Sequence, residues 1–151
     1  MEKIIPFDKL IETIDRVDEL NKKLERYEDI YDMLVYGEDD DLAGICKLKI
    51  EHYKREIDKY KNHENEIVRL NVYKTNRYDW KDFADDASSL IKLKLMQDRY
   101  LKTSWLNDED TIVSNYAEYV LEDIKSYDIS LSMAEEYDIL IDDVGINKNV
   151  A

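Results

Sequence analysis

The sequence predicts an all-α fold of four or five helices, with a long N-terminal αα-hairpin packed on a C-terminal three-helix unit. Three observations carry that expectation. Apolar residues recur at alternating spacings of three and four over two long stretches, the signature of one buried helical face. Three glycines and one proline in 151 residues are too few for the many connections of a β-sandwich or meander. The interruptions that do occur coincide with residues that cap helices.

Residues 1–36 read as the first helix. Leu10, Val17, Leu20, Leu24, Tyr27, Tyr31 and Leu34 keep the 3,4 spacing, with Thr13 the one polar member of the series. Pro6 suits a first turn, where its missing N–H costs nothing. Residues 37–44 (GEDDDLAG) read as an acidic loop, with Gly37 in the left-handed conformation that ends a helix. Asp40 or Asp41 then caps a second helix over 42–72, whose stripe is Cys46, Ile50, Tyr53, Ile57, Tyr60 and Ile67, with Glu64 interrupting it. Two such helices, each roughly 40 Å long at 1.5 Å per residue, make an antiparallel hairpin with coiled-coil-like packing.

A polar connector (YKTNRY) leads to Asp79 as the cap of a third helix over 79–105. It carries Trp80, Phe83, Ala84, Ala87, Leu90 and Ile91, then Leu93, Leu95, Met96, Tyr100, Leu101 and Trp105 on several faces, as a buried helix does. Two short runs, CKLKI at Cys46 and IKLKL at Ile91, alternate like strands, but each lies inside a longer helical pattern. Residues 107–110 cap a fourth helix over 108–127, bearing Ile112, Val113, Tyr116, Val120, Ile124 and Tyr127. Ser132 with Glu135 forms a capping box for a fifth over 132–144, ending at Gly145.

At 151 residues the chain is expected to be one domain that buries roughly 70% of its unfolded surface, so neither disulfide nor metal is needed. The single cysteine, Cys46, has no internal partner, which suits a reducing compartment. The N-terminus (MEKIIPFDKL) has no run suited to a signal peptide, and no stretch reaches the ~20 apolar residues of a membrane span. A cytoplasmic protein is expected, and Lys-, Ile-, Asn- and Tyr-rich usage points to an AT-rich bacterium or its phage.

Charge is unevenly placed. Residues 1–41 hold 14 acids and 6 bases, residues 42–105 hold 10 and 14, and residues 106–151 hold 12 and 2. The overall −14 opposes nucleic acid and anionic membranes as direct partners and favours basic ones. Lys47, Lys49, Lys54, Arg55, Lys59 and Lys61 make the middle basic, but Glu51–Arg55 and Lys54–Asp58 are spaced as i,i+4 pairs of an exposed helix.

The motifs of common chemistries fail one by one. His52 and His63 are the only histidines and sit roughly 16 Å apart along one helix, too far to share a metal. His63-Glu64 starts like HExxH, but Ile67 stands where the second histidine belongs. An EF-hand counted from Asp39 has Ile50 at its bidentate position. Glu25-x-x-Glu28 and Glu135-x-x-Asp138 are similar to the carboxylate pairs with which all-α nucleotide pyrophosphatases hold Mg²⁺, yet 36 acids produce such pairs by chance. Asp82, Asp85 and Asp86 complement a helix dipole. No P-loop, G-x-S-x-G or G-x-G-x-x-G occurs. Neither enzyme, metal nor cofactor is expected.

An interaction function remains. In charge, size and helicity, though in no residue pattern, the chain resembles the small acidic proteins with which phages and mobile elements block host nucleases, including anti-CRISPR and anti-restriction DNA mimics. That likeness implies an inhibitor whose acidic surface occupies the nucleic-acid-binding groove of a basic protein. The residues expected to form it, as one continuous negative surface, are Glu25, Glu28, Asp29, Asp32, Glu38, Asp39, Asp40 and Asp41, with Glu118, Tyr119, Glu122 and Asp123. The alternatives are a helical scaffold or assembly protein, and a toxin immunity protein. A homodimer through the 3,4-spaced stripes is also open. Most of the twelve tyrosines are expected to seam the helices with their hydroxyls at the rim, leaving a handful as contact anchors.

Overall fold

A computed structural model describes residues 5–126 and 138–141. Among these the protein is mostly helical, with five α-helices, two 3₁₀ turns and one pair of short strands. The chain divides into two compact units, Met1–Tyr78 and Asp79–Ala151.

In the first unit, α1 (Phe7–Tyr36) follows Pro6, whose carbonyl accepts from the Leu10 N–H at 3.0 Å. The expected stripe is the buried one: Val17, Leu20 and Leu24 are at most 1% exposed, and Leu10, Tyr27, Tyr31 and Leu34 are half-buried. Burial of each such aliphatic side chain contributes about 1.5–3 kcal/mol. The connection is tighter than the expected loop over 37–44. It occupies residues 37–39 only, and Gly44 lies inside the next helix, α2 (Asp40–Asp58). Gly37 keeps an ordinary φ of −80°, and Glu38 takes the left-handed conformation instead, at φ 59°. Asp39, not Asp40 or Asp41, caps α2, its carboxylate accepting from the Leu42 N–H at 3.3 Å. Asp40 and Asp41 thereby fall in the first turn, where they complement the helix dipole.

Cys46, Ile50 and Ile57 face α1 as the spacing predicts, with Tyr53 stacked on Tyr27 at 5.6 Å between ring centres. The Cys46 thiol donates to the Tyr27 carbonyl at 3.1 Å. The second helix does not run on to residue 72, however. The i→i+3 bonds Tyr60 to Ile57, Lys61 to Asp58 and His63 to Tyr60 tighten the chain into turns. Asn65 then caps a separate helix, α3 (Glu66–Tyr73), by accepting from the Ile67 N–H at 2.8 Å. His63 builds this corner: Nδ1 accepts from the Asn65 N–H at 3.0 Å, and its carbonyl accepts from Arg69 Nη1 at 2.8 Å. The break resets the helical phase, so Ile67 leaves the stripe and is 40% exposed while Val68 and Val72 are fully buried. The pairs Glu51–Arg55 and Lys54–Asp58 do not form; Asp58 accepts from the Tyr78 hydroxyl instead. Asn71 ties α3 to α1, donating to Asp18 Oδ1 at 3.0 Å.

The second unit departs further from expectation, because 79–105 is not one helix. Asp79 caps a 3₁₀ turn, Trp80–Phe83, accepting from the Lys81 N–H at 2.9 Å. Ser88 starts α4 (Ser89–Gln97), its Oγ accepting from the Ile91 N–H at 3.4 Å. At Arg99 the chain turns through φ 73° into β1 (Tyr100–Lys102), then a 3₁₀ turn, Thr103–Asn107. The fourth helix stands as α5 (Thr111–Ser126), with Asp110 accepting from the Ile112 N–H at 2.9 Å. Val113, Ala117 and Val120 are its buried face, while Ile112 is 66% exposed. The fifth helix is contradicted where it can be seen: Asp138–Leu140 is β2, parallel to β1 with Tyr100 opposite Asp138. Its capping box, Ser132 and Glu135, lies outside the described residues. Both alternating runs, CKLKI and IKLKL, are helical, and the strands fall elsewhere. Trp80 anchors this unit, stacked on Tyr100 at 4.9 Å and meeting Trp105 edge-on at 6.3 Å. Its indole N–H donates to Asp138 Oδ2 at 2.6 Å.

Candidate protein-interaction surface

The acids named from sequence separate into two sets on different units. On α1, Glu25, Asp29 and Asp32 follow i, i+4, i+7 spacing and share one exposed stripe. At 1.5 Å per residue the stripe covers roughly 10 Å along the helix. Asp15 and Asp18 continue it towards the N-terminus, Lys22 interrupts it, and Tyr36 ends it. Glu25 accepts from the Asn21 amide at 3.3 Å; among the described residues no cation holds Glu25, Asp29 or Asp32. Glu28 is different. It is half-buried and lies 2.7 Å from the Arg77 guanidinium, which also donates to Asn21.

The stripe runs into the hairpin turn, where Glu38, Asp39, Asp40 and Asp41 are all exposed around a shallow open depression. Asp39 has a structural duty there as the cap of α2, and the other three are exposed without an ion pair among the described residues. Large apolar groups stand among these acids: Met33 is 73% exposed, Tyr36 93% and Leu42 51%. No charge or spacing signal marks them in the sequence, because helical periodicity distinguishes the buried face and not which apolar groups stay in solvent.

In the second unit, Glu118 and Glu122 are exposed at i,i+4 spacing on α5, beside Tyr119 at 70% exposure, whose ring meets Tyr116 edge-on at 6.2 Å. Asp123 is half-buried. An open pocket of about 340 Å³ in this unit, lined by charged, polar and apolar groups, had no sequence signature at all. Lys92–Asp108 and Lys102–Asp85, each at 2.6 Å, lie in its wall, so both lysines are already matched to carboxylates. Beside it, the Asp110 carboxyl is held below the ordinary aspartate range, chiefly by a hydrogen bond from Ser89 and then by the Ile112 N–H.

The features considered for catalysis have other partners here. Glu28 is held by Arg77, and Asp138 lies in β2 and is held by Trp80, while Glu135 lies outside the described residues. His63 belongs to the corner before α3, and His52 is exposed with its ring edge against Tyr53. Among the described residues no group of three or more His, Cys, Asp or Glu converges as a metal site. Nor is any described helix long and apolar enough to cross a membrane. No family model matches the chain, and neither a curated protein nor a solved structure matches it.

Proposed function

We propose that the first unit is a non-enzymatic interaction module whose acidic α1 stripe and hairpin turn engage a basic, nucleic-acid-binding surface of a partner protein. One observation carries this reading: Glu25, Asp29 and Asp32 line one exposed stripe, ion-paired to no cation among the described residues, that leads into Glu38, Asp40 and Asp41. The three helical acids occupy roughly 10 Å, the length over which a nucleic-acid strand advances three phosphates at ~3.4 Å each. The match is coarse, since a helical turn rises roughly 5.4 Å, so the partner's lysines and arginines adjust their reach. Such binding is steered by long-range charge and weakens steeply with salt.

The test is capture from a lysate of the organism that makes the protein, followed by elution with duplex DNA. The wild-type protein retains a basic partner that DNA releases. The triple variant Glu25→Lys, Asp29→Lys, Asp32→Lys loses it with its helical circular dichroism intact. Equal retention by the reversed protein at low salt would remove the acidic stripe as the interface. Glu28 is left out of the variant because its reversal would break the Arg77 pair.

A second reading draws on Met33 and Tyr36. A polyanion mimic needs no exposed apolar groups, whereas assembly and immunity interfaces use aromatic and methionine anchors ringed by polar groups. On that reading Tyr36→Ala and Met33→Ala weaken binding more than the triple reversal does, and the complex tolerates high salt.

A further inference from the structure

We infer that the outer face of α2 is a self-association surface, on which a second copy of this chain lays its own α2 in antiparallel orientation. The inner face of α2 is already used, with Ala43, Cys46, Ile50 and Ile57 buried. On the opposite side Asp41, Leu48 and Arg55 stand seven residues apart, the repeat that keeps one seam facing a partner helix. Ile45 and Leu48 are 59% and 66% exposed, so this face leaves aliphatic groups in water that the hairpin does not use.

Gly44 lies on the same face. A glycine inside a helix costs roughly 1 kcal/mol relative to alanine. Nothing within 4 Å would meet a Cβ there, and no described glycine has positive φ, so neither packing nor backbone conformation within the unit calls for it. A bare backbone on an exposed face is what a closely approaching helix requires.

Charge identifies the occupant. Asp41 stands at one end of the face and Arg55 at the other, with Asp40 and Lys54 on its flank, and none of the four is ion-paired among the described residues. In an antiparallel pair centred on Leu48, Asp41 of each copy lies opposite Arg55 of the other, Asp40 lies near Lys54, and Gly44 receives His52. A parallel pair would set like charges together. A uniformly basic or acidic partner would match one end and clash with the other. The arrangement is a twofold, self-complementary contact, so each favourable pair occurs twice. One helix face offers less than the roughly 800 Å² per partner of a standard interface. Lys47 also meets its own mate near the centre, and the association is accordingly weak and concentration-dependent.

This contact leaves the proposed basic-partner acids Glu25, Asp29 and Asp32 uncovered and overlaps that interface only at Asp40 and Asp41 of the hairpin turn. Sedimentation equilibrium of the full chain tests it. The wild-type mass rises with concentration from 18.1 kDa towards twice that value. Leu48→Asp stays at 18.1 kDa at every concentration, with its helical circular dichroism unchanged. Arg55→Asp alone abolishes association, and the double variant Asp41→Arg, Arg55→Asp restores it, as only the antiparallel register allows. A wild-type chain that stays monomeric throughout overturns the inference. So does association that survives Leu48→Asp, or a charge swap that fails to restore what Arg55→Asp removed.

Discussion

The guanidinium of Arg77 lies 2.7 Å from the carboxylate of Glu28, joining the segment after α3 back to the C-terminal half of α1. The Arg77 side chain is only 14% exposed and donates to Asn21 as well, so the pair is part of a small network rather than a surface ion pair. Arg77→Ala leaves Glu28 and Asn21 without their donor and is expected to cost about 1.5–3 kcal/mol, read as a lower urea midpoint with unchanged slope. Asp32→Ala, on the open stripe, should move the midpoint by less than about 0.5 kcal/mol equivalent.

Two backbone positions in the hairpin hold residues that oppose their conformation. Gly44→Ala places a methyl in open space within α2 and should stabilise by roughly 1 kcal/mol at concentrations where the chain is monomeric. Glu38 sits at φ 59°, which costs an L-residue roughly 1–2 kcal/mol, so Glu38→Gly should also raise the melting temperature. The reverse exchange at residue 37, Gly37→Ala, lacks that benefit: φ there is −80°, and the added Cβ lies 3.4 Å from the Met33 carbonyl oxygen.

In the second unit the Trp80 indole depends on Asp138 for its hydrogen bond. Asp138→Ala leaves a buried N–H unsatisfied, at about 1–3 kcal/mol. Loss of near-ultraviolet tryptophan dichroism together with a lower urea midpoint is the expected result. Asp138→Asn retains an acceptor and should recover most of the loss.

Acid should act on the start of α5 through Asp110. Its folded-state pKa is lowered by Ser89 and the Ile112 N–H, so its contribution to stability is present above the ordinary aspartate range. That contribution is lost as pH falls through the lowered folded value. Carbon-detected titration should place the Asp110 midpoint below that of an unstructured aspartate, and Ser89→Ala should move it back up.

The hairpin was legible because its determinants are local and repeated. Val17, Leu20 and Leu24 fall on one face wherever α1 packs, and Cys46, Ile50 and Ile57 do the same for α2. The stripe of Glu25, Asp29 and Asp32 follows from the same periodicity, since what lies off the buried face must be solvated. The features that sequence did not reveal depend on atoms distant in the chain or on small conformational differences. The corner before α3 rests on His63 and Arg69 meeting the backbone, which no hydrophobic period records. Glu28 leaves the acidic set because Arg77, far along the chain, folds back onto it.

The sequence by itself thus determined the helical class, the α1–α2 hairpin and the exposed acidic stripe, through spacing and solvation. Only the tertiary structure decided where 79–105 breaks. Tyr100–Lys102 becomes a strand by pairing with Asp138–Leu140, and Trp80 is held by Asp138 from that same distant segment. A strand of three residues has no periodicity of its own; its hydrogen-bonding groups are satisfied only once the partner segment has arrived.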